Sequence, residues 1–181
     1  VKSDERIITP NIDGESSTLA DAISSASELL KDKKLAIVGS CRSTVEEQYL
    51  LTKLARNSKG KKYLRGHFGD DDGILLASDR TPNLRGALAT GFSAKYPSDQ
   101  LSDLSRALSK GQFDTLLVMG EDILDSGVTR DDLKGVKVIY LGTHRNETSA
   151  LASVLTPDNI NSLASGPNFT SFADILYLLY S

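Results

Sequence analysis

Asp114-Thr115-Leu116-Leu117-Val118-Met119-Gly120 is an unbroken apolar run closed by glycine. A strand without polar alternation is buried on both faces, as in a parallel sheet covered on either side by helices. Lys34-Leu35-Ala36-Ile37-Val38-Gly39 has the same form, and Val136-Lys137-Val138-Ile139-Tyr140-Leu141 with Gly142 behind it repeats it. Residues 61–65 make a weaker strand, and Val154-Leu155 a stub before Pro157.

Helical patterns separate these runs. Thr18 caps a helix over 19–31, whose apolar residues Leu19, Ala22, Ile23, Ala26, Leu29 and Leu30 recur at three- and four-residue steps. Ser43 or Thr44 opens the next, with Glu46 and Glu47 in the first turn and an inner stripe of Val45, Tyr49, Leu50 and Leu54. A short helix follows Asn83, an amphipathic one spans 99–110, a helical turn covers 130–133, and a short helix covers 147–152. Alternating strands and helices imply βαβ units. The expected fold is therefore a three-layer α/β domain: a mainly parallel, Rossmann-like sheet with helices on both faces. One such domain accounts for 1–181, with an irregular lead-in over 1–17 and an irregular wrap over 156–181.

Bulk properties narrow the function. A net charge of -3, no tryptophan and few aromatics give no electrostatic pull on nucleic acid and no base-stacking platform. No apolar run approaches the ~20 residues that cross a bilayer, so membrane insertion is not expected and a cytoplasmic setting is. Cys41 is the sole cysteine, which excludes an internal disulfide and any cysteine-based zinc or iron–sulfur site within the chain. His67 and His144 lie far apart and read as surface or structural residues. Asp70-Asp71-Asp72 lacks the spaced ligands of a calcium loop and reads as a solvated charge run. Ile74-Leu75-Leu76-Ala77 reads as a short strand or an apolar plug. The terminal Ile175-Leu176-Tyr177-Leu178-Leu179-Tyr180 suits a docking strand or a helix turn.

In such sheets ligands bind beyond the carboxyl ends of the strands. Three ends stand out: Gly39-Ser40-Cys41-Arg42-Ser43, Gly120-Glu121-Asp122 and Gly142-Thr143-His144-Arg145-Asn146. Their hydroxyls and arginines suit a phosphate or a pterin-like ring, and Glu121 and Asp122 suit amino or ribose hydroxyl groups. The same residues also serve as ordinary strand-to-helix turns. Neither a dinucleotide glycine loop nor a P-loop is present, and Cys41 has no base beside it in sequence. Ser78-Asp79-Arg80-Thr81-Pro82-Asn83-Leu84-Arg85-Gly86-Ala87 reads as a turn into a helix capped by Asn83. Its arginines beside a helix start fit either an anion site or a solvated turn. Gly86 leaves room for a close approach.

Arg80-Thr81-Pro82-Asn83-Leu84-Arg85-Gly86-Ala87 also resembles part of the molybdopterin oxidoreductase domain. So, in the same order, do Arg6-Ile7-Ile8-Thr9-Pro10 with Asp13-Gly14, Leu19-Ala20-Asp21-Ala22, Glu46-Glu47-Gln48-Tyr49-Leu50-Leu51, Met119-Gly120-Glu121-Asp122, and Thr143 with Glu147-Thr148 and Val154-Leu155-Thr156-Pro157. More narrowly, the chain is similar to the large iron–sulfur subunit of bacterial NADH-quinone oxidoreductase, respiratory complex I. The N-terminal cluster cysteines of that family are missing, and its acidic, glycine-rich pattern decays after Pro157. The resemblance implies an accessory or scaffold domain, cut from a longer subunit, that has lost its metal cofactor and performs no catalysis itself. Iron–sulfur clusters would lie elsewhere in the parent subunit. Its partners would be other subunits or domains of a respiratory oxidoreductase, at the inner face of the membrane. The surface from Arg80 to Arg85 and the apolar tail would be contacts. The alternative is a molybdopterin- or guanine-nucleotide-binding portion of a molybdenum oxidoreductase, with Ser40, Arg42, Asn83, Gly120, Glu121 and Thr143 as its cofactor-binding residues.

Overall fold

Strand side chains alternate between two packed faces, and the helices divide between them. In the computed structural model, which describes residues 5–157, the order is β1 (Asn11–Ile12), β2 (Glu15–Ser16), α1 (Leu19–Leu30), β3 (Leu35–Ser40), α2 (Val45–Ser58) and β4 (Lys61–Arg65). Next come α3 (Leu84–Ala89), α4 (Ser102–Ser109), β5 (Thr115–Met119), β6 (Lys137–Gly142) and β7 (Val154–Pro157), with 3₁₀ turns at Leu124–Ser126 and Ser149–Leu151.

Within the described residues the strands form one seven-stranded sheet in the order β2-β1-β7-β6-β5-β3-β4. The five from β3 to β7 are mutually parallel, and β1 joins β7 antiparallel. On one face Ile37, Leu117, Met119, Ile139 and Leu141 pack under α1, α2 and α3. On the other, Val38, Leu116, Val118, Val138 and Tyr140 pack under α4 and the segments carrying Ile123, Val128 and Leu133. The expected α/β class and mainly parallel sheet are therefore present.

The chain steps outward from β3 to β4, then crosses back to β5 and continues through β6 to β7. The direction reverses between β3 and β5, which is where a doubly wound sheet opens its crevice.

Local chemistry explains most boundaries. The Thr18 side chain accepts from the Asp21 N–H at the start of α1. Thr44 and Glu47 form a capping box on α2, two reciprocal bonds that satisfy otherwise orphaned amides. Lys59 then closes α2 in the left-handed region.

Several expectations need correction. The lead-in is not wholly irregular: Asp13 and Gly14 turn a small hairpin of β1 and β2, and the Asn11 carboxamide accepts from the Gly14 N–H. In α2, Val45 and Tyr49 are 46% and 56% exposed. The inner face is Gln48, Leu51, Thr52, Leu54 and Ala55. Gln48 turns inward because its amide donates to the carbonyls of Ser40, Ser43 and Asn83, so polarity misplaces the stripe. Ile74-Leu75-Leu76 is neither strand nor plug: these residues are 85%, 92% and 51% exposed on a turn whose amides the Asp72 carboxylate binds. The amphipathic helix is shorter than expected, at Ser102–Ser109, and 147–152 yields only a 3₁₀ turn. The C-terminal wrap from 158 and the apolar stretch 175–180 lie outside the described residues.

Candidate functional site

Three adjacent strands, β4, β3 and β5, deliver polar residues to the reversal point. Ser40 ends β3 and Arg65 ends β4; His67 follows β4 and Glu121 follows β5. The Glu121 side chain is 1% exposed. It accepts from the Ser40 hydroxyl, lies 2.9 Å from His67 Nε2, and lies 3.3 Å from Arg65 Nη1. Arg65 also donates to the Asp122 carbonyl at 2.5 Å and meets the Asp125 carboxylate at 2.6 Å. A buried carboxylate needs this much compensation, since desolvation disfavours its charge. The cluster thus cross-links three strand ends with its own charges.

Asp122 is spent in the same way. Its carboxylate accepts from the Thr148 hydroxyl at 2.7 Å and from the Glu147 and Leu124 amides, tying the end of β5 to the 3₁₀ turn after β6. The two acids read as acceptors for a ligand are therefore engaged by the protein's own donors.

Asn83 is likewise internal. Its side chain makes no capping bond to α3 and instead donates to the Ser43 carbonyl at 2.8 Å. Gly86 does permit a close approach, but what approaches is the Asn83 side chain, which a Cβ on Gly86 would strike. Arg80 donates to the Asp70 carbonyl at 2.5 Å, so its guanidinium braces the loop after β4. Cys41 is fully buried, and burial, aided by the nearby Asp79 and Glu121 carboxylates, pushes its thiol up to about 12 against the opposing Thr81 hydrogen bond. Such a thiol is not a nucleophile at neutral pH.

Ser40, Arg42, Gly120 and Thr143 do come together. They line a cleft of about 320 Å³ that shares Ser40 with the cluster, with Tyr140, His144, Arg145 and one acid, Glu47, which caps α2. Arg42 and His144 are exposed there, and the Tyr140 hydroxyl accepts from Asn146. The cleft is at the lower end of the ~300–1,000 Å³ range typical of ligand pockets. Its arginines and hydroxyls suit a small anion-bearing group. Glu121 and Asn83 lie outside this lining.

Arg65 escapes sequence reading, and His67 reads in sequence only as a surface or structural residue. The signal for them was positional: a fourth strand end, Arg65-Gly66-His67, follows a strand whose lysines obscure its burial. Among the described residues no group of three or more His, Cys, Asp or Glu is placed to hold a metal, and no helix is long and apolar enough to cross a membrane. A scan against protein-family models finds no match, and no curated protein matches the chain significantly.

Proposed function

We propose that this chain is a scaffold domain of the large subunit of an NADH-quinone oxidoreductase, similar to a molybdopterin oxidoreductase domain whose cofactor crevice has become a structural joint. The observation that carries this reading is Glu121. At the point where a doubly wound sheet offers its acid to a ligand, the carboxylate is buried and engaged by Ser40, Arg65 and His67. A pterin or guanine ring would find both strand-end acids occupied, so these residues do not fit that cofactor. The ordered resemblance of the sequence supplies the family, and the mainly parallel sheet agrees with it. In this reading the domain performs no catalysis and holds no metal. Iron–sulfur clusters lie in other parts of the parent subunit, and neighbouring subunits at the inner membrane face are its partners.

Two tests apply: pterin fluorescence of an extract made by denaturing the purified chain, and calorimetry of the folded chain with guanine nucleotides. No pterin and no heat at millimolar nucleotide are expected. Stoichiometric pterin overturns the proposal. The cleft beside Arg42 and Thr143 favours a second reading, in which it holds the anionic part of a pterin or guanine nucleotide. That reading requires a binding heat that Arg42→Ala removes.

A further inference from the structure

Among the described residues, β4 is the last strand of the sheet. Its Arg65 carbonyl accepts from the Cys41 N–H just after β3. In a parallel ladder, alternate residues address alternate neighbours, so Lys62 and Leu64 turn their main-chain groups away from β3. At the far end, the Gly66 N–H bonds the Ser98 carbonyl and Ser98 bridges Arg65 in parallel. Before that point, no backbone group among the described residues bonds the Lys62 N–H or C=O, or the Leu64 N–H.

This open edge forms one wall of a groove of about 580 Å³, whose other walls are the 93–100 segment and α4. The groove carries Lys61, Lys62, Lys95, Arg106 and Lys110 against one acid, Asp103. A cationic lining on a chain of net charge -3 is a local feature with a local target. Lys62 is already committed to the Gly91 carbonyl at 2.5 Å and Arg106 to Asp103 at 3.0 Å. Lys61, Lys95 and Lys110 are exposed, Lys61 with its Nζ 5.4 Å from the centre of the Tyr63 ring. Tyr63 supplies a second, independent sign. It lines the groove, is 9% exposed, and its hydroxyl is buried without a hydrogen-bond partner among the described residues. A buried hydroxyl left unsatisfied costs free energy, so the wall of the groove at Tyr63, packed edge-on against Phe113, is a place where a bound acceptor gains if the ring shifts toward it.

We propose that this groove binds an acidic, extended peptide segment of a partner protein, which adds to β4 as a parallel or antiparallel neighbour. Main-chain bonds to Lys62 and Leu64 supply the pairing, and carboxylates facing Lys61, Lys95 and Lys110 supply selection. Edge lysines ordinarily deter strand addition. Here they deter apolar and basic strands and admit an acidic one, a discrimination built from repulsion as well as attraction. A main-chain donor and acceptor row recognises a peptide in a way it does not recognise a nucleic acid.

The test uses the intact chain and a fluorescein-labelled peptide alternating glutamate and valine. Controls are the lysine–valine peptide, the acidic peptide with alternate amides N-methylated, and a single-stranded oligonucleotide. Saturable binding of the acidic peptide by anisotropy is expected, weakened about tenfold or more by N-methylation, by lysine in place of glutamate, and by the double variant Lys61→Glu/Lys110→Glu. Amide hydrogen exchange at Lys62 and Leu64 slows when the peptide is bound. Tyr63→Phe weakens binding while leaving the exchange pattern of the free protein unchanged. Absence of binding at millimolar peptide overturns the proposal. So does equal affinity for the N-methylated peptide or the oligonucleotide, which makes the groove a plain polyanion patch. Self-association that blocks the peptide also overturns it, by making a second copy of the chain the occupant.

Discussion

Two charged regions of this molecule meet along β4 and treat charge in opposite ways. At the ends of β3, β4 and β5, Glu121 and Arg65 are 1% and 7% exposed in their side chains and bond each other and their neighbours. Beside β4, Lys61, Lys95 and Lys110 face solvent around a strand edge that, among the described residues, pairs with Ser98 at its far end and is open at Lys62. Charges taken out of water must be matched inside the fold, and once matched they hold strands together. Charges left in water cost little and remain available to something else. Burial and pairing, more than the number of ionisable residues, separate the joint from the docking surface.

The sharpest way to break that contrast is to remove Glu121. Glu121→Ala takes the buried carboxylate away from the Arg65 guanidinium, whose Nε has no hydrogen-bond partner among the described residues. It also removes the acceptor of the Ser40 hydroxyl and the partner of His67 Nε2. The expected loss is about 2–4 kcal/mol of unfolding free energy, below the full cost of stranding a buried charge because Arg65 keeps the Asp125 carboxylate and the Asp122 carbonyl. That is a large share of the ~5–15 kcal/mol of an ordinary domain. Urea unfolding followed by circular dichroism measures it. A loss below about 1 kcal/mol would show that the crevice is wet and its acid replaceable, and would favour the ligand-binding reading.

Gly86 offers a smaller test of the same joint. In an ordinary helix interior, glycine to alanine stabilises by roughly 0.5–1 kcal/mol. At Gly86 the added methyl collides with the Asn83 side chain, which bonds the Ser43 carbonyl in the turn after β3. Gly86→Ala is therefore expected to destabilise by about 1–3 kcal/mol, as overpacking does. The opposite sign, again from urea unfolding, would show that Asn83 moves aside freely and that the turn is not held by it.

The sheet was legible because its evidence is local and repeated. Apolar runs ending in glycine at Gly39, Gly120 and Gly142 mark strands, and Thr18 and Thr44 mark helix starts. Of the site, sequence reading brought Ser40, Arg42, Gly120 and Thr143 to one cleft. It did not reveal that Glu121 points inward, because burial of a carboxylate depends on Arg65 and His67, 56 and 54 residues away. It misjudged α2 because Gln48, polar by composition, is held inside by three carbonyls from other segments. The groove left no motif: its cations come from β4, the 93–100 segment and α4, and its opening depends on β4 being an edge, a property of strand order. Pairwise, long-range contacts create these features, and periodicity carries no record of them.

The smallest effect lies on the docking side, in the support of α4. The Asp132 carboxylate accepts from the Ser105 and Ser109 hydroxyls at 2.8 and 2.5 Å and from the Thr129 N–H at 2.9 Å. It thereby fixes the helix that presents Arg106 and precedes Lys110. These bonds, led by the Ser109 hydroxyl and the Thr129 amide, lower its pKa to about 2 from an ordinary 3.8. A carboxylate depressed in the folded state stabilises fully above its unfolded pKa and loses that contribution as pH falls through the folded one. Because the group is near solvent, screening holds the gain to about 1 kcal/mol or less. Asp132→Asn should lower the urea midpoint slightly at neutral pH, and the gap from the parent chain should close between about pH 4 and pH 2. A gap that stays constant across that window would assign the effect to shape instead of charge, and the contrast between a joint that consumes its charges and a groove that offers them would lose its support on this side.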